Sequence, residues 1–353
     1  MKLLKYIFIS ALLSVVFTQN VSAQQAVAEF LKFPLDDAQK MGDAYIAPFG
    51  KMFGNSLNGG WYQAARPHKL FGFDVTFTAV VATPFADEKE FDFNKLGISN
   101  SIVLANSTEN ISPTITGKGD GIGVVYTKNI GGTDVNVPIT LPKGVGLPFT
   151  PMPFIQGSIG LPFHSELSLR FFPKVEIPKV GTIFMWGVGV KNEFKEFIPG
   201  LKMVPIDLAV MLGYTNFSSE FNVSYKPEAG NYPDGATTAS DFDGQKLNLN
   251  ASGFTARLLV GKTIPILSVY AGLGYSHAVT DFGLKGLYPL SINMQGEPTN
   301  LVTANDPLVF AFTHSDFSAN LGMRLRFGVI AVNFDYTLGK YPLYSAGFGI
   351  SFR

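Results

Sequence analysis

Apolar and polar positions alternate along most of this chain. In "LFGFDVTFTAVV", Phe71, Phe73, Val75, Phe77, Ala79 and Val81 share one parity, and Gly72, Asp74, Thr76 and Thr78 hold the other. "VPIDLAVMLGYT" sets Val204, Ile206, Leu208, Val210, Leu212 and Tyr214 against Asp207, Ala209, Gly213 and Thr215. "LSVYAGLGYS", "FSANLGMRLRF" and "VIAVNFDYTL" follow the same rule, and "YSAGFGISFR" (Tyr344 to Arg353) puts almost nothing but Gly and Ser on its second parity. A period of two predicts strands. They are expected near 69–82, 98–106, 119–128, 152–160, 164–173, 181–195, 203–217, 247–262, 266–282, 308–327, 329–338 and 343–352.

Alternation alone does not say whether the apolar face looks into a core or out into lipid. Three features choose lipid. The second face is small, which suits a crowded lumen or one that must admit something else. Aromatic residues recur near strand ends (Phe71, Trp186, Tyr214, Phe317, Phe327, Tyr344 and Phe352), as girdles at two lipid–water boundaries would require. Connections also alternate: 161–163, 263–265 and Gly328 are tight, while 129–151, 218–246 and 283–307 are long, the asymmetry of outer-membrane barrels. The expected fold is therefore all-β, a transmembrane antiparallel up-and-down β-barrel of about twelve strands, with ten to fourteen acceptable.

The two ends change this picture. Lys2 and Lys5, the apolar run 6–17 and Val21-Ser22-Ala23 read as a signal peptide over 1–23. Residues 24–66 lack strand alternation. Leu35, Ala38, Met41 and Tyr45 recur at helical spacing, Asp36 or Asp37 is placed to cap the helix, and Pro48 is expected to end it. Two readings stay open for this segment: a plug folded into the lumen, or a periplasmic leader helix. Residues 67–353 form the expected barrel.

Composition agrees. Hydrophobic residues make up 46%, with 37 Gly, 32 Phe and 13 Tyr, yet after the signal peptide no run reaches the ~18–20 apolar residues of a membrane helix. With no cysteine there is no disulfide or thiolate metal site. A net charge of zero with only 15% charged residues argues against a nucleic-acid partner. Expected partners are outer-membrane lipid, the barrel-assembly machinery during biogenesis and a hydrophobic small molecule. The expected location is the bacterial outer membrane.

Candidate chemistry is sparse. "GKGDGIG" (Gly117–Gly123) lacks the Gly-Lys-Ser/Thr ending of a phosphate loop, and "DFDG" at 241–244 lacks the full acidic spacing of a calcium loop. No cofactor is expected. His164-Ser165 and His314-Ser315 are adjacent pairs, so in regular strands their side chains point to opposite faces, and no enzymatic activity is expected. The second parity of the expected strands carries Asp74, Glu166, Asp207, Arg257 and other charges in balance. The candidate lumen network is Arg170, Asp207, Arg257, Arg324, Arg326, Asn333 and Asp335, in which a hairpin at Gly328 sets Arg324 and Arg326 beside Asn333 and Asp335. Buried charges must pair, so a network bracing the wall is the plainer reading and a substrate site the alternative.

With "GFGISFR" closing the chain, the sequence resembles outer-membrane barrels of the long-chain fatty-acid transporter (FadL-like) type. It resembles more closely still an uncharacterised exported barrel family, through "PHKLFGFDVT" (Pro67–Thr76) and "PIDLAVMLGYT" (Pro205–Thr215). The transporter resemblance implies a plug and sideways release of an apolar substrate into lipid, although the Asn-Pro-Ala start of that plug is absent. The expected function is a channel for hydrophobic small molecules. The alternative is a structural or receptor barrel with a closed, ion-paired lumen and partner-binding outer loops.

Overall fold

Ten of the alternating segments pair edge to edge into one closed antiparallel barrel in the computed structural model, which describes residues 29–130, 132–177, 181–226, 239–290 and 302–352. The strands are β1 (Phe73–Ala82), β2 (Thr150–Leu161), β3 (Ser165–Ile177), β4 (Gly181–Glu193), β5 (Asp207–Asn222), β6 (Lys246–Thr263), β7 (Leu267–Lys285), β8 (Val309–Phe327), β9 (Ile330–Leu338) and β10 (Leu343–Phe352). Each pairs with its neighbours in sequence. The seam closes where β1 lies between β2 and β10, with Phe73 opposite Phe352 and Ala82 opposite Leu343. The expected signal peptide, residues 24–28, parts of the loops at 218–246 and 283–307, and Arg353 lie outside the described residues.

Ten strands rather than about twelve is a correction at the low end of the expected range. The expected strands at 98–106 and 119–128 do not enter the wall. Ile102–Leu104 and Gly123–Ile130 pair with each other, and Thr133–Thr140 joins them as a three-stranded sheet. Ile102 and Val124 bury in the main core rather than facing lipid. These strands belong to the long β1–β2 connection, a dome over one end of the barrel. The opposite end carries the tight β2–β3, β6–β7 and β8–β9 turns. The two ends are called the loop end and the turn end below.

The outer wall is apolar over a definite height. From Phe327 up to Phe317 on β8, and from Ile266 to Tyr275 beside it, outward positions are apolar or aromatic, with Phe317, Leu321, Phe327 and Ile266 all exposed. At ~3.3 Å per residue and a tilt near 40°, ten residues rise about 25 Å, the height of a membrane-barrel belt. Cross-strand aromatic pairs mark its rims: Tyr275–Phe317, Trp186–Tyr214 and Tyr336–Tyr344 toward the loop end, and Phe73–Phe352 at the turn end.

Above the upper rim the polarity of the same strands inverts. Asn248 and Glu220 now point outward, and Phe217, Leu247, Leu249, Phe282, Phe310 and Phe312 are buried inward. The barrel is inside-out within the belt and ordinary above it. Its upper half needs an apolar filling.

That filling is α1 (Leu35–Ser56), a helix of 22 residues. Met41, Tyr45, Ile46, Met52 and Phe53 are buried among the inward rings and the dome. Gly42 and Gly50 lie flat against Phe310 and Phe312, where added Cβ atoms would come within 2.6 Å and 2.1 Å of the rings. Two sequence expectations are corrected here. The helix runs through Pro48 to Ser56. A mid-helix proline costs about 3 kcal/mol, but the buried faces on both sides of it outweigh that. The N-cap is Pro34, with no side-chain cap. Asp37 turns instead to the dome, accepting from the N–H and hydroxyl of Ser99 at 3.0 and 2.6 Å.

Candidate functional site

After Ser56 the chain does not leave the barrel. Residues 57–72 descend through the belt to the turn end and pass directly into β1. The inward parity that looked empty in sequence is where this segment sits.

Trp61 is its anchor. A Cβ on Gly189 would lie 2.7 Å from its ring and one on Gly213 would lie 2.5 Å from it. The indole therefore lies in a window that only glycine leaves open. The Arg170 guanidinium stacks between two rings, 3.6 Å from the centre of Trp61 and 4.0 Å from that of Phe154. Arg170 also donates to the carbonyls of Leu57 and Gly59, both at 3.0 Å, and to Gln156 Oε1 at 3.2 Å. Gln156 in turn donates to the Trp61 carbonyl at 3.1 Å. No carboxylate bonds to Arg170 among the described residues. Carbonyl dipoles and two π faces stand in for a counter-ion.

Below Trp61 the contacts become ionic. The Tyr62 hydroxyl donates to Asn320 Oδ1 at 2.8 Å, and Asn320 donates to Asp335 Oδ2 at 2.6 Å. Lys191 pairs with Glu166 at 2.9 Å and donates to the Ala64 carbonyl at 3.1 Å. Arg66 holds Asp207 Oδ1 through Nε at 3.0 Å and Nη2 at 2.7 Å. His68 lies 2.7 Å from Glu166 and 3.3 Å from Asp74.

The structure separates the candidate network into local groups. Arg170 holds the plug backbone and Asp207 holds Arg66. Arg257 donates to the Ser318 carbonyl and the Ser276 hydroxyl at 3.0 and 2.9 Å. Arg324 does lie opposite Asn333, but its charge partner is Asp74, at 3.1 Å. Arg326 lies opposite Ala331, and Asp335 opposite Gly322, so the expected cluster of Arg324, Arg326, Asn333 and Asp335 does not form as a unit. The wall charges brace the wall against the plug as much as against itself. Sequence reasoning missed Trp61, Tyr62, Arg66 and His68. The available signal was a large aromatic pair in a small-residue stretch, "GNSLNGGWYQAA".

His68 supplies a pH dependence. Burial alone would pull its ring down, but hydrogen bonds and charge from Asp74 and Glu166 outweigh this and raise its pKa from 6.5 to about 9. A raised value means that the protonated ring favours the folded state. Its contribution, up to roughly 3 kcal/mol, is complete below pH 6.5 and lost as pH rises through 9. Heat stability of the barrel should therefore fall between pH 7 and 10, and His68→Ala should flatten that fall. An equal slope in both proteins would assign it to other groups.

One cross-strand pair was not legible in the sequence. His277 Nδ1 and Ser315 Oγ are 2.7 Å apart on the outer face, just above the aromatic rim. Among the described residues no carboxylate bonds to the other ring nitrogen. The pair lacks the orienting partner that activates a serine.

A closed antiparallel barrel with a lipid-height apolar belt and a polar interior is a transmembrane β-barrel, here one filled by its own N-terminal segment. The chain belongs to the family of unknown function DUF6588, which it matches over residues 1–352. No curated protein matches it. Among solved structures it is similar to Ail, the attachment invasion locus protein of Yersinia pestis (8% identity, TM-score 0.26, covering 80% of this chain and 98% of that one). It is also similar to the translocator domain of the autotransporter NalP from Neisseria meningitidis (12%, 0.28, 85% and 91%) and to the outer membrane transporter YddB from Escherichia coli (10%, 0.27, 78% and 43%). These likenesses are too low to bear on function. None of them adds to the resemblance to long-chain fatty-acid transporters.

Proposed function

We propose that this protein is a bacterial outer-membrane barrel held closed by its N-terminal segment, and that it works by recognition at the loop-end dome rather than by diffusion through the lumen. The observation that carries this reading is the Trp61 seat. A buried ring in a glycine window, clamped by Arg170 to two plug carbonyls, leaves a permanent pore no room. In planar bilayers the wild-type protein should be silent. A steady ohmic conductance would sink the proposal.

Passage of hydrophobic molecules is the second reading, favoured by the aromatic lining of the loop-end lumen (Phe282, Phe310, Phe312). Such a path would want apolar side chains at the inner end of the plug, where this chain places Arg66 and His68. Liposomes carrying the wild-type protein should take up a fluorescent fatty acid no faster than empty liposomes. In this reading the protein has no catalytic role. Its partners are outer-membrane lipid along the belt and the assembly machinery during insertion.

A further inference from the structure

At the turn end a pocket of about 100 Å³ lies between the last plug residues and the β6–β7 turn. Arg66, His68, Lys69 and Arg324 line it together with Arg326, and among the described residues no carboxylate does. Behind it, Asp74, Glu166, Glu193 and Asp207 are engaged by three of these cations and by Lys191 and Lys195. Five cations thus meet four carboxylates, and Lys69 on the pocket wall adds a sixth positive charge, with Arg326 left out of the count.

Arg324 is the telling member. It is more than nine-tenths buried; its Nη2 lies 3.1 Å from Asp74 Oδ2 without the alignment of a hydrogen bond, and its Nε has no hydrogen-bond partner among the described residues. Asp74 offsets its charge through Nη2 but leaves Nε unused. Buried donors in native proteins are nearly always satisfied by protein, water or ligand. Ser268 and Ser351 line the same space, and its far side is the turn of Ile264 and Ile266, both exposed at the lipid rim. Cations and hydroxyls on one wall and aliphatic side chains on the other suit one chemistry.

We infer that this pocket binds a phosphate group, either as the free ion or as the headgroup of a phospholipid in the adjoining leaflet. Guanidinium groups recognise such oxyanions through charge-assisted hydrogen bonds, and the exposed isoleucines place acyl chains beside the belt.

The test uses the full chain in an uncharged maltoside detergent. Its heat-unfolding midpoint is followed against inorganic phosphate, with chloride at matched ionic strength as the control. A second arm compares dihexanoyl phosphatidylglycerol with uncharged dihexanoylglycerol. A saturable rise with inorganic phosphate establishes a free-ion site. A rise with the phospholipid alone establishes a headgroup site. Lys69→Ala, at an exposed position, should weaken the half-saturation point about tenfold, the effect of one charge-assisted bond, while the ligand-free midpoint stays unchanged. Arg324→Gln should abolish the response, and if that variant fails to fold, Lys69→Ala still decides. Equal responses to phosphate and chloride, no response in either arm, or an unaltered half-saturation point in Lys69→Ala would each overturn the inference.

Discussion

Trp61→Ala should turn a silent barrel into one that opens. Truncating a buried aromatic of this size costs about 3–5 kcal/mol, and the stacked guanidinium adds up to about 2 kcal/mol where water is excluded. The loss falls on the descending segment rather than on the wall, whose pairing from β1 to β10 does not involve Trp61. The variant should still insert and still shift on heating in a gel, but it should show discrete openings in planar bilayers. The same outcome is expected from the other side of the contact. Gly213→Val suits a strand better than glycine does, yet its Cβ would meet the indole at 2.5 Å. A rigid ring cannot yield that distance, so valine should evict Trp61 without weakening β5. If both variants stay silent while folding normally, the lumen is sealed by something other than this ring.

Phe310→Ala should act differently. Phe310 is fully buried, near Phe282 and Phe312, with the Gly42 face of α1 against it. Removing the ring leaves a cavity between helix and wall in the half of the barrel above the belt. A loss of about 3–5 kcal/mol is expected, seen as a lower heat-unfolding midpoint. Conductance should stay nil, because the Trp61 seat and the ionic contacts below it are untouched. A conducting Phe310→Ala barrel would show that the helix, not the descending segment, is the seal.

The contrast between these variants follows a division that the sequence carried only in part. Within the belt the reading was direct. Leu208, Val210, Leu212 and Tyr214 alternate with Asp207, Ala209, Gly213 and Thr215, and the structure turns the first set to lipid. It stopped at the rim, where β7 and β8 change their apolar parity between the belt and the extension. Leu273 and Tyr275 face out, whereas Phe282 and Leu284 face in, so no single face describes the whole strand. It failed at 98–106 and 119–128, where short strands of the dome imitate wall strands. The small inward parity left two readings open, a crowded lumen or one that admits something else, and the structure fills it with residues 57–72. What occupies it depends on contacts between residues far apart in the chain, such as Trp61 against Gly189 and Gly213, and alternation holds no record of those. The stretches "PHKLFGFDVT" and "PIDLAVMLGYT" gain a physical meaning from these contacts. His68 and Asp74 in the first, and Asp207 and Gly213 in the second, are places where plug and wall meet.

The continuity of residues 57–72 with β1 also dictates an order of events. The seam joins Phe73 to Phe352, the longest sequence separation of any strand pair in the wall, so closing it carries the largest loop-closure cost. The segment just before Phe73 must already lie within the curl of the sheet when that seam is sealed. Afterwards, the loop-end helix would have to be drawn through a ring of hydrogen-bonded backbone. In its assembly this barrel is wrapped around its contents rather than loaded through an open end.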